Sequence, residues 1–208
     1  MIKKMIFIFF LTGSSSVLAG ISNDTFNPEL HPWSLMGYWG RTCKEPIGSL
    51  IRGQFTSANE TLWSTEVAYR LAETNWLRSF FHPVIPVVQV AGNVTYRDGL
   101  YNHADIAEFD PYLIFRWEQF PWNHVVDTTL AFAEGVSYVT QVPWVEERYN
   151  DDTARFLNYL MFEATFAMPS HPEWQFLVRI HHRSGAYGLY GAGNTGSNNL
   201  GVGIRYYF

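Results

Sequence analysis

The sequence contains one cysteine, Cys43, and few charged side chains. Without a second cysteine no intramolecular disulfide can form, so other contacts must stabilise the fold. Charged residues make up 16% of the 208 residues, whereas soluble domains carry about 25%. With 14 Lys and Arg against 19 Asp and Glu, the chain lacks the basic surface that phosphate backbones require. This composition predicts no nucleic-acid partner.

Long hydrophobic runs are also missing after the first 20 residues. Charged or amide side chains interrupt every apolar stretch, and a membrane-spanning helix needs roughly 20 consecutive apolar residues. Aromatic residues nevertheless reach 17% of the chain. This combination is typical of a membrane β-barrel, whose strands alternate lipid-facing apolar side chains with polar interior ones.

The first 19 residues have the pattern of a signal peptide. Lys3 and Lys4 precede an apolar run over residues 5–11, and Val17 and Ala19 are small residues at a cleavage site. The apolar run is too short to cross a bilayer as a helix, which disfavours the alternative of an uncleaved anchor. We therefore predict a signal peptide at 1–19 and a single barrel domain at 20–208, exported to the bacterial outer membrane.

Apolar residues recur at every second position along most of the remaining chain. At the C-terminus Leu200, Val202, Ile204, Tyr206 and Phe208 alternate with glycines, Arg205 and Tyr207, which is the period of a strand with one apolar face. The pattern predicts strands near 33–41, 62–71, 85–96, 106–117, 125–138, 156–168, 175–181 and 200–208.

Eight strands predict an all-β fold, an antiparallel transmembrane barrel of the outer-membrane type with an interior filled by side chains. Segments 42–61 and 72–84 are too long for simple connections, so the strand ends there stay open. The terminal aromatic Phe208 resembles the signal that the outer-membrane assembly machinery reads, which makes that machinery a predicted partner.

Candidate chemistry concentrates in residues 179–188. Extending the parity of Phe176, Val178 and Ile180 places His182 and Ser184 on the lipid-facing side, where polar groups are costly unless they are paired, and this placement indicates a functional role. Residues two apart on a strand project side by side from one face. A histidine beside a serine can act as its general base, which is the arrangement for nucleophilic acyl transfer.

The His182-Arg183-Ser184 motif, followed by a glycine- and asparagine-rich loop and a final strand, resembles the PagL-type lipid A 3-O-deacylases, also called acyloxyacyl hydrolases. The resemblance is specific over about the last thirty residues. It implies an eight-stranded outer-membrane barrel with its site on the outer wall, facing lipopolysaccharide. It further implies that Ser184 is the nucleophile and His182 the general base, and that an ester-linked acyl chain at the 3-position of lipid A is hydrolysed without metal or cofactor.

Two positions depart from the family pattern. The family has a glutamate that orients the histidine, and Asn198 is the residue here that matches it in position and outward parity. An acid elsewhere is the alternative, and the candidates lie in one predicted loop: Glu146, Glu147, Asp151 and Asp152. The family's asparagine after the serine is Gly185 here, so backbone amides from Gly185 to Gly188, with Tyr187 between them, are expected to bind the oxyanion.

Arg183 is predicted either to contact a lipid A phosphate or to be a solvated charge at the rim. His181 shares its parity with Arg179 and is predicted to face the interior.

Two other functions stay open. A non-catalytic structural or adhesin-like barrel would use His182 and Ser184 only as interfacial polar residues. A different lipid-active barrel, such as a phospholipase or an acyltransferase, would have its site facing the same leaflet. The oligomeric state, including a homodimer, also stays open.

Overall fold

The structure is a computed structural model in which residues 26–100, 103–193 and 195–208 are described. The predicted signal peptide at 1–19 lies outside the described residues. The chain forms one closed antiparallel barrel in which each strand pairs with the next and the last pairs with the first. The strands are β1 (Trp33–Cys43), β2 (Ser57–Arg70), β3 (Val87–Asp98), β4 (Ile106–Trp117), β5 (Asp127–Val139), β6 (Phe156–Met168), β7 (His171–Ser184) and β8 (Gly196–Tyr207).

The predicted fold class and strand number are confirmed, and the bounds of β4 and β6 agree with the prediction. The other strands differ mainly at their ends. β2 begins at Ser57, five residues before its predicted start, and β7 begins at His171 and continues to Ser184. Strand pairing continues past the apolar band because the ladder uses backbone hydrogen bonds, which polar residues make equally well.

Short helices occupy the two segments whose structure the sequence left open. Helix α1 (Ile47–Ile51) lies between β1 and β2, and α2 (Trp76–Phe81) lies between β2 and β3. Helix α3 (Trp144–Tyr149) lies between β5 and β6, and a 3-10 turn (Ala186–Gly188) follows β7. None of the helices in the described ranges is long and apolar enough to cross a membrane.

The barrel has two different ends. The terminus end carries the start of β1, the end of β8 and three connections, among them the short β6–β7 turn at 169–170. Residues 26–32 lie against this end, where Glu29 pairs with Arg70 at 3.2 Å and with Arg78 at 2.9 Å. The loop end carries the other four connections, including the β7–β8 loop that follows Ser184.

Side chains alternate between an apolar outer wall and a polar interior, as the period of two predicts. In β1, Trp33, Leu35 and Trp39 are exposed on the outer wall, whereas Met36 and Tyr38 point inward and are buried. Leu177 is an exception to the polar interior. It packs there with Met36, Tyr38 and Leu62 in a small apolar cluster.

The interior holds two layers of charged side chains. The terminus-end cluster consists of Glu66, Glu163, Arg116, Arg179 and Arg205, joined by ion pairs such as Arg116 to Glu163 at 2.7 Å. The loop-end cluster consists of Glu60, Glu108, Asp110, Glu146, Arg97, Arg183 and His181. The stacked rings of Tyr112 and Tyr159, 4.5 Å apart, lie between the two clusters. Buried charges of both signs therefore fill much of the interior, and an apolar cluster that includes Tyr112, Ile114, Tyr159 and Met161 completes it.

Candidate active site

The side chain of His182 is hydrogen-bonded to Asn198 on the outer wall near the loop end. The two residues face each other across the β7–β8 ladder, and the distance from His182 Nδ1 to Asn198 Oδ1 is 2.6 Å. Both side chains are half-buried. The sequence predicted that Asn198 faces outward and lies close to His182, and the observed geometry agrees with both predictions.

A second hydrogen bond fixes the orientation of the Asn198 amide. Its Nδ2 donates to the backbone carbonyl of Glu45, in the β1–β2 loop, at 3.0 Å. A carbonyl can only accept, so the atom that faces His182 must be the amide oxygen. His182 then donates from Nδ1, which leaves Nε2 with a free lone pair. This is the tautomer that a general base acting through Nε2 requires.

Ser184 lies two residues after His182 on the same face and is the last residue of β7. It pairs with Asn158 of β6 on one side and with Gly196 of β8 on the other. Within the described residues no hydrogen bond joins the Ser184 hydroxyl to the imidazole. Such bonds are often long in the absence of substrate and shorten when substrate binds.

None of the four alternative acids is hydrogen-bonded to His182 in the described part of the chain. Glu146 points into the barrel, where it pairs with Arg183 at 3.0 Å and accepts from Ser197 at 2.8 Å. Asp152 accepts from the amide of Gly193 in the neighbouring loop. The hydrogen-bond partner of the imidazole is therefore neutral.

The predicted oxyanion amides are mostly engaged elsewhere. Gly185 N–H donates to Thr195 O at 3.1 Å and Gly188 N–H donates to Gly185 O at 3.0 Å, so neither amide is available to an oxyanion in this conformation. The Tyr187 side chain is fully exposed. Gly185 is required for packing, because a Cβ there would lie 2.3 Å from the carbonyl oxygens of Ala192 and Gly193.

Arg183 points into the barrel and is not on the wall with its two neighbours. It is 0% exposed, pairs with Glu146 and donates to Ser137 Oγ at 3.0 Å. Both predictions for Arg183, a contact with lipid phosphate and a solvated rim charge, are incompatible with this burial. The physical reason is the strand period of two, which turns Arg183 inward whenever His182 and Ser184 face outward. His181 also points inward, as predicted, and is 1% exposed.

Two polar residues beside the motif were not recognised from the sequence. Asn158 lies directly across from Ser184, and Glu134 of β5 pairs with Leu160, which in turn pairs with His182. Glu134 is exposed on the outer wall. Asn158 shares the outward parity of the exposed Phe156. A polar residue at an outward position of an apolar strand is the signal that would have identified both of them.

These residues form one polar patch in an otherwise apolar wall. We call Glu134, Asn158, His182, Ser184 and Asn198 the outer-wall patch. The ladder registers place its members on four consecutive strands, β5 to β8. A groove of about 700 Å³ lies closer to the terminus end on the same wall, and its lining includes Gly37, Trp63, Phe176 and Val202.

Comparisons with known proteins find similar folds among solved structures of small outer-membrane barrels. No protein-family model matches the sequence, and no curated protein matches it. Among solved structures, the chain is similar to the outer membrane enzyme PagL, with 15% identity, a TM-score of 0.55, and coverage of 83% of this chain and 98% of that one. It is also similar to Neisserial surface protein A, with 9% identity, a TM-score of 0.48, and coverage of 85% and 96%.

A third similar structure is the N-terminal β-barrel domain of Pseudomonas aeruginosa OprF, with 11% identity, a TM-score of 0.42, and coverage of 85% and 98%. At such low identities the likeness concerns the fold alone. The chain has the closed eight-stranded fold of a small outer-membrane barrel.

Proposed function

We propose that the chain is an outer-membrane esterase that hydrolyses the ester-linked acyl chain at the 3-position of lipid A. The observation that carries the proposal is the hydrogen bond from His182 to Asn198 on the outer wall, with Ser184 on the same face. The fold is shared with a protein described as an outer membrane enzyme. The substrate class follows from the sequence resemblance around residues 182–184.

In the proposed reaction the Ser184 hydroxyl attacks the ester carbonyl while His182 Nε2 accepts its proton. The tetrahedral intermediate collapses, and the imidazolium returns the proton to the sugar oxygen as the C–O bond breaks. A water molecule activated by His182 then hydrolyses the acyl-Ser184 ester. The products are a free fatty acid and lipid A with one free hydroxyl, and the reaction needs no redox partner.

Asn158 is our proposed oxyanion donor, in place of the amides of Gly185 and Gly188. It faces Ser184 directly across the β6–β7 ladder, and directly opposed residues have Cβ atoms about 4.5–5.5 Å apart. A side-chain amide at that distance can donate to an oxygen bound at Ser184. Such a donor contributes about 2.7–4 kcal/mol of transition-state stabilisation in other acyl-transfer enzymes.

The apolar groove on the outer wall suits the acyl chain of such a substrate. Val202, at its edge, shares the outward parity of Asn198 and lies four residues farther along β8, which is roughly 13 Å at the rise of a β-strand. Gly37 has no heavy atom within 4 Å of the position that a Cβ would take, so the groove is open there. An acyl chain held along this wall would stay in lipid while its ester reaches Ser184.

The test is to express the chain in a bacterium with well-characterised lipid A and to compare lipid A mass spectra. Wild type, Ser184→Ala, Ser170→Ala and an empty vector form the set, and Ser170 serves as the matched serine control because it lies in the β6–β7 turn at the opposite end. We expect wild type and Ser170→Ala to remove one hydroxyacyl chain. We expect Ser184→Ala to remove none while keeping its heat-modifiable gel mobility.

Identical spectra from all four strains, with the barrel folded in the membrane, would contradict the esterase. They would favour the structural barrel, which is the second candidate because the partner of His182 is a neutral amide. Loss of an acyl chain from a phospholipid instead of lipid A would support Ser184 as the nucleophile, and it would show that the substrate is a phospholipid.

A further inference from the structure

Three potential metal ligands meet inside the barrel, in the loop-end cluster. Glu108 and Asp110 come from β4 and His181 from β7, and one ligand atom of each lies within 4.8 Å of the other two. All three residues are at most 1% exposed. The group lies behind the wall that carries the outer-wall patch, and the proposed hydrolysis does not use it.

Asp110 is the residue of this group that the protein leaves unsatisfied. Neither of its carboxylate oxygens has a hydrogen-bond partner among the described residues, although both are buried. Buried carboxyl groups without any partner are rare in proteins, and an ion that is absent from the coordinates is one of the recognised explanations.

The remaining ligands are held in position by the surrounding network. Glu108 Oε1 lies 2.9 Å from His181 Nε2 and accepts from Ser137 at 2.8 Å, while its Oε2 pairs with Arg97 at 2.8 Å. The ring of Tyr159 packs edge-on against His181 with centroids 4.9 Å apart. Second-shell contacts of this kind orient the ligands of metal sites.

The loop-end cluster holds more carboxyl groups than guanidinium groups. Its carboxyl groups are those of Glu60, Glu108, Asp110 and Glu146, whereas its only guanidinium groups in the described structure are those of Arg97 and Arg183. When all four carboxyl groups are ionised, they exceed the guanidinium groups by two negative charges. One divalent cation would neutralise them, and a neutral imidazole is also the form that coordinates metal.

We propose that Glu108, Asp110 and His181 bind one divalent first-row transition metal ion inside the barrel. One imidazole nitrogen with two carboxylates is a donor set that suits Zn²⁺ or Mn²⁺ better than Ca²⁺ or Mg²⁺, which take oxygen ligands. An ion about 2.0–2.2 Å from each ligand needs ligand atoms roughly 3–4 Å apart, so a small shift of side chains completes the site. The ion would join β4 to β7 across the interior.

Burial of all three ligands predicts when the ion enters. In the described structure the three ligand side chains are at most 1% exposed, so we expect the ion to bind as the strands close and to be retained afterwards. A metal held on exposed histidines, such as His171 at the terminus end, would exchange freely. Resistance to a chelator after folding therefore distinguishes the interior site from surface binding.

The experiment measures metal content in the folded full-length barrel. Wild type, Asp110→Asn and Glu66→Gln are refolded into detergent separately with Zn²⁺, Mn²⁺ or Ca²⁺, washed with EDTA and analysed by mass spectrometry of the metal. Glu66 is the matched control, since it is an equally buried carboxylate of the other cluster. We expect about one Zn²⁺ or Mn²⁺ per wild-type and Glu66→Gln barrel and at least a tenfold lower content in Asp110→Asn.

A second measurement covers the case in which Asp110→Asn does not fold. Wild type refolded with Co²⁺ and washed in the same way should show a visible absorption spectrum. The expected spectrum is that of Co²⁺ with nitrogen and oxygen ligands and a coordination number below six. A wild-type barrel that stays metal-free under every condition would contradict the proposed metal site. Water or a shared proton would then occupy the space between the three side chains. Equal chelator-resistant metal in folded wild type and Asp110→Asn would also overturn it.

Discussion

Asn198 supplies orientation to His182 without supplying charge. Its amide oxygen holds the imidazole at 2.6 Å, and the Glu45 carbonyl prevents the amide from turning over. In a serine triad the acid also stabilises the imidazolium that forms in the transition state. We therefore expect the wild-type chain to be a slow esterase whose histidine is correctly placed.

Substitutions at Asn198 separate orientation from charge. We expect Asn198→Ala to lower deacylation by about 10- to 100-fold, because the imidazole loses its partner, and Asn198→Glu to raise it by about tenfold, because a carboxylate stabilises the imidazolium. Initial rates on lipid A in mixed micelles measure both effects. The double variant Asn198→Glu with Ser184→Ala is the control and should be inactive. A faster Asn198→Ala than wild type would contradict the orienting role.

Strand β7 presents two different sets of polar side chains, one on each of its two faces. His182 and Ser184 contribute to the outer-wall patch, while Arg179, His181 and Arg183 join the interior clusters. Arg183 also donates to the backbone carbonyl of Ala154 at 3.2 Å, which ties the β5–β6 loop to the barrel beside the site. The interior face therefore positions the strand, and the outer face presents the residues of the proposed site.

At the terminus end, residues 26–32 are held by charge. Partial burial of Glu29 opposes its ionisation, but hydrogen bonds and charges from Arg78 and Arg70 outweigh it and lower the pKa of Glu29 below its ordinary value near 4.5. A lowered pKa means that this contact contributes fully above the ordinary value and is lost as the pH falls through the lowered one.

Protection factors, which compare each exchange rate with the intrinsic rate at the same pH, should therefore fall for residues 26–32 as the pH drops through the lowered pKa of Glu29, while the strands stay protected. Glu29→Gln should show low protection factors for this segment already at neutral pH and little further change on acidification. Equal protection of this segment in wild type and Glu29→Gln at neutral pH would rule out the ion pairs as its attachment.

Over the whole molecule, buried ion pairs connect strands across the barrel interior. Glu163 alone contacts Arg116, Arg179 and Arg205, which come from three different strands. Removing one partner from such a network leaves the others buried and uncompensated, whereas removing the whole network need not destabilise a protein. We therefore expect the network to favour one closed arrangement of the strands.

Glu163→Gln should lower the free energy of unfolding by about 3–5 kcal/mol, because Arg116 would lose its carboxylate partner and Arg179 and Arg205 would share only Glu66. Urea unfolding in lipid vesicles, followed by tryptophan fluorescence and gel mobility, measures the change. Glu147→Gln is the control, since Glu147 is exposed on α3, and should change stability by less than about 0.5 kcal/mol. Equal unfolding midpoints for both variants would contradict the stabilising role of the network.

The sequence by itself determined the strand number, the alternation of apolar and polar faces, and the shared outward parity of His182, Ser184 and Asn198. These features follow from a period of two along the chain, which is a local property. For the same reason the sequence determined that His181 faces inward, and the parity of β7 was already sufficient to exclude Arg183 from the wall.

Only the tertiary structure decided which side chains meet across the barrel. The three arginines around Glu163, the position of Asn158 opposite Ser184, and the meeting of His181 with Glu108 and Asp110 depend on how far each strand is staggered when the sheet closes. Closure and stagger are properties of all eight strands together. A pattern of alternating residues, read along one strand, contains no information about them.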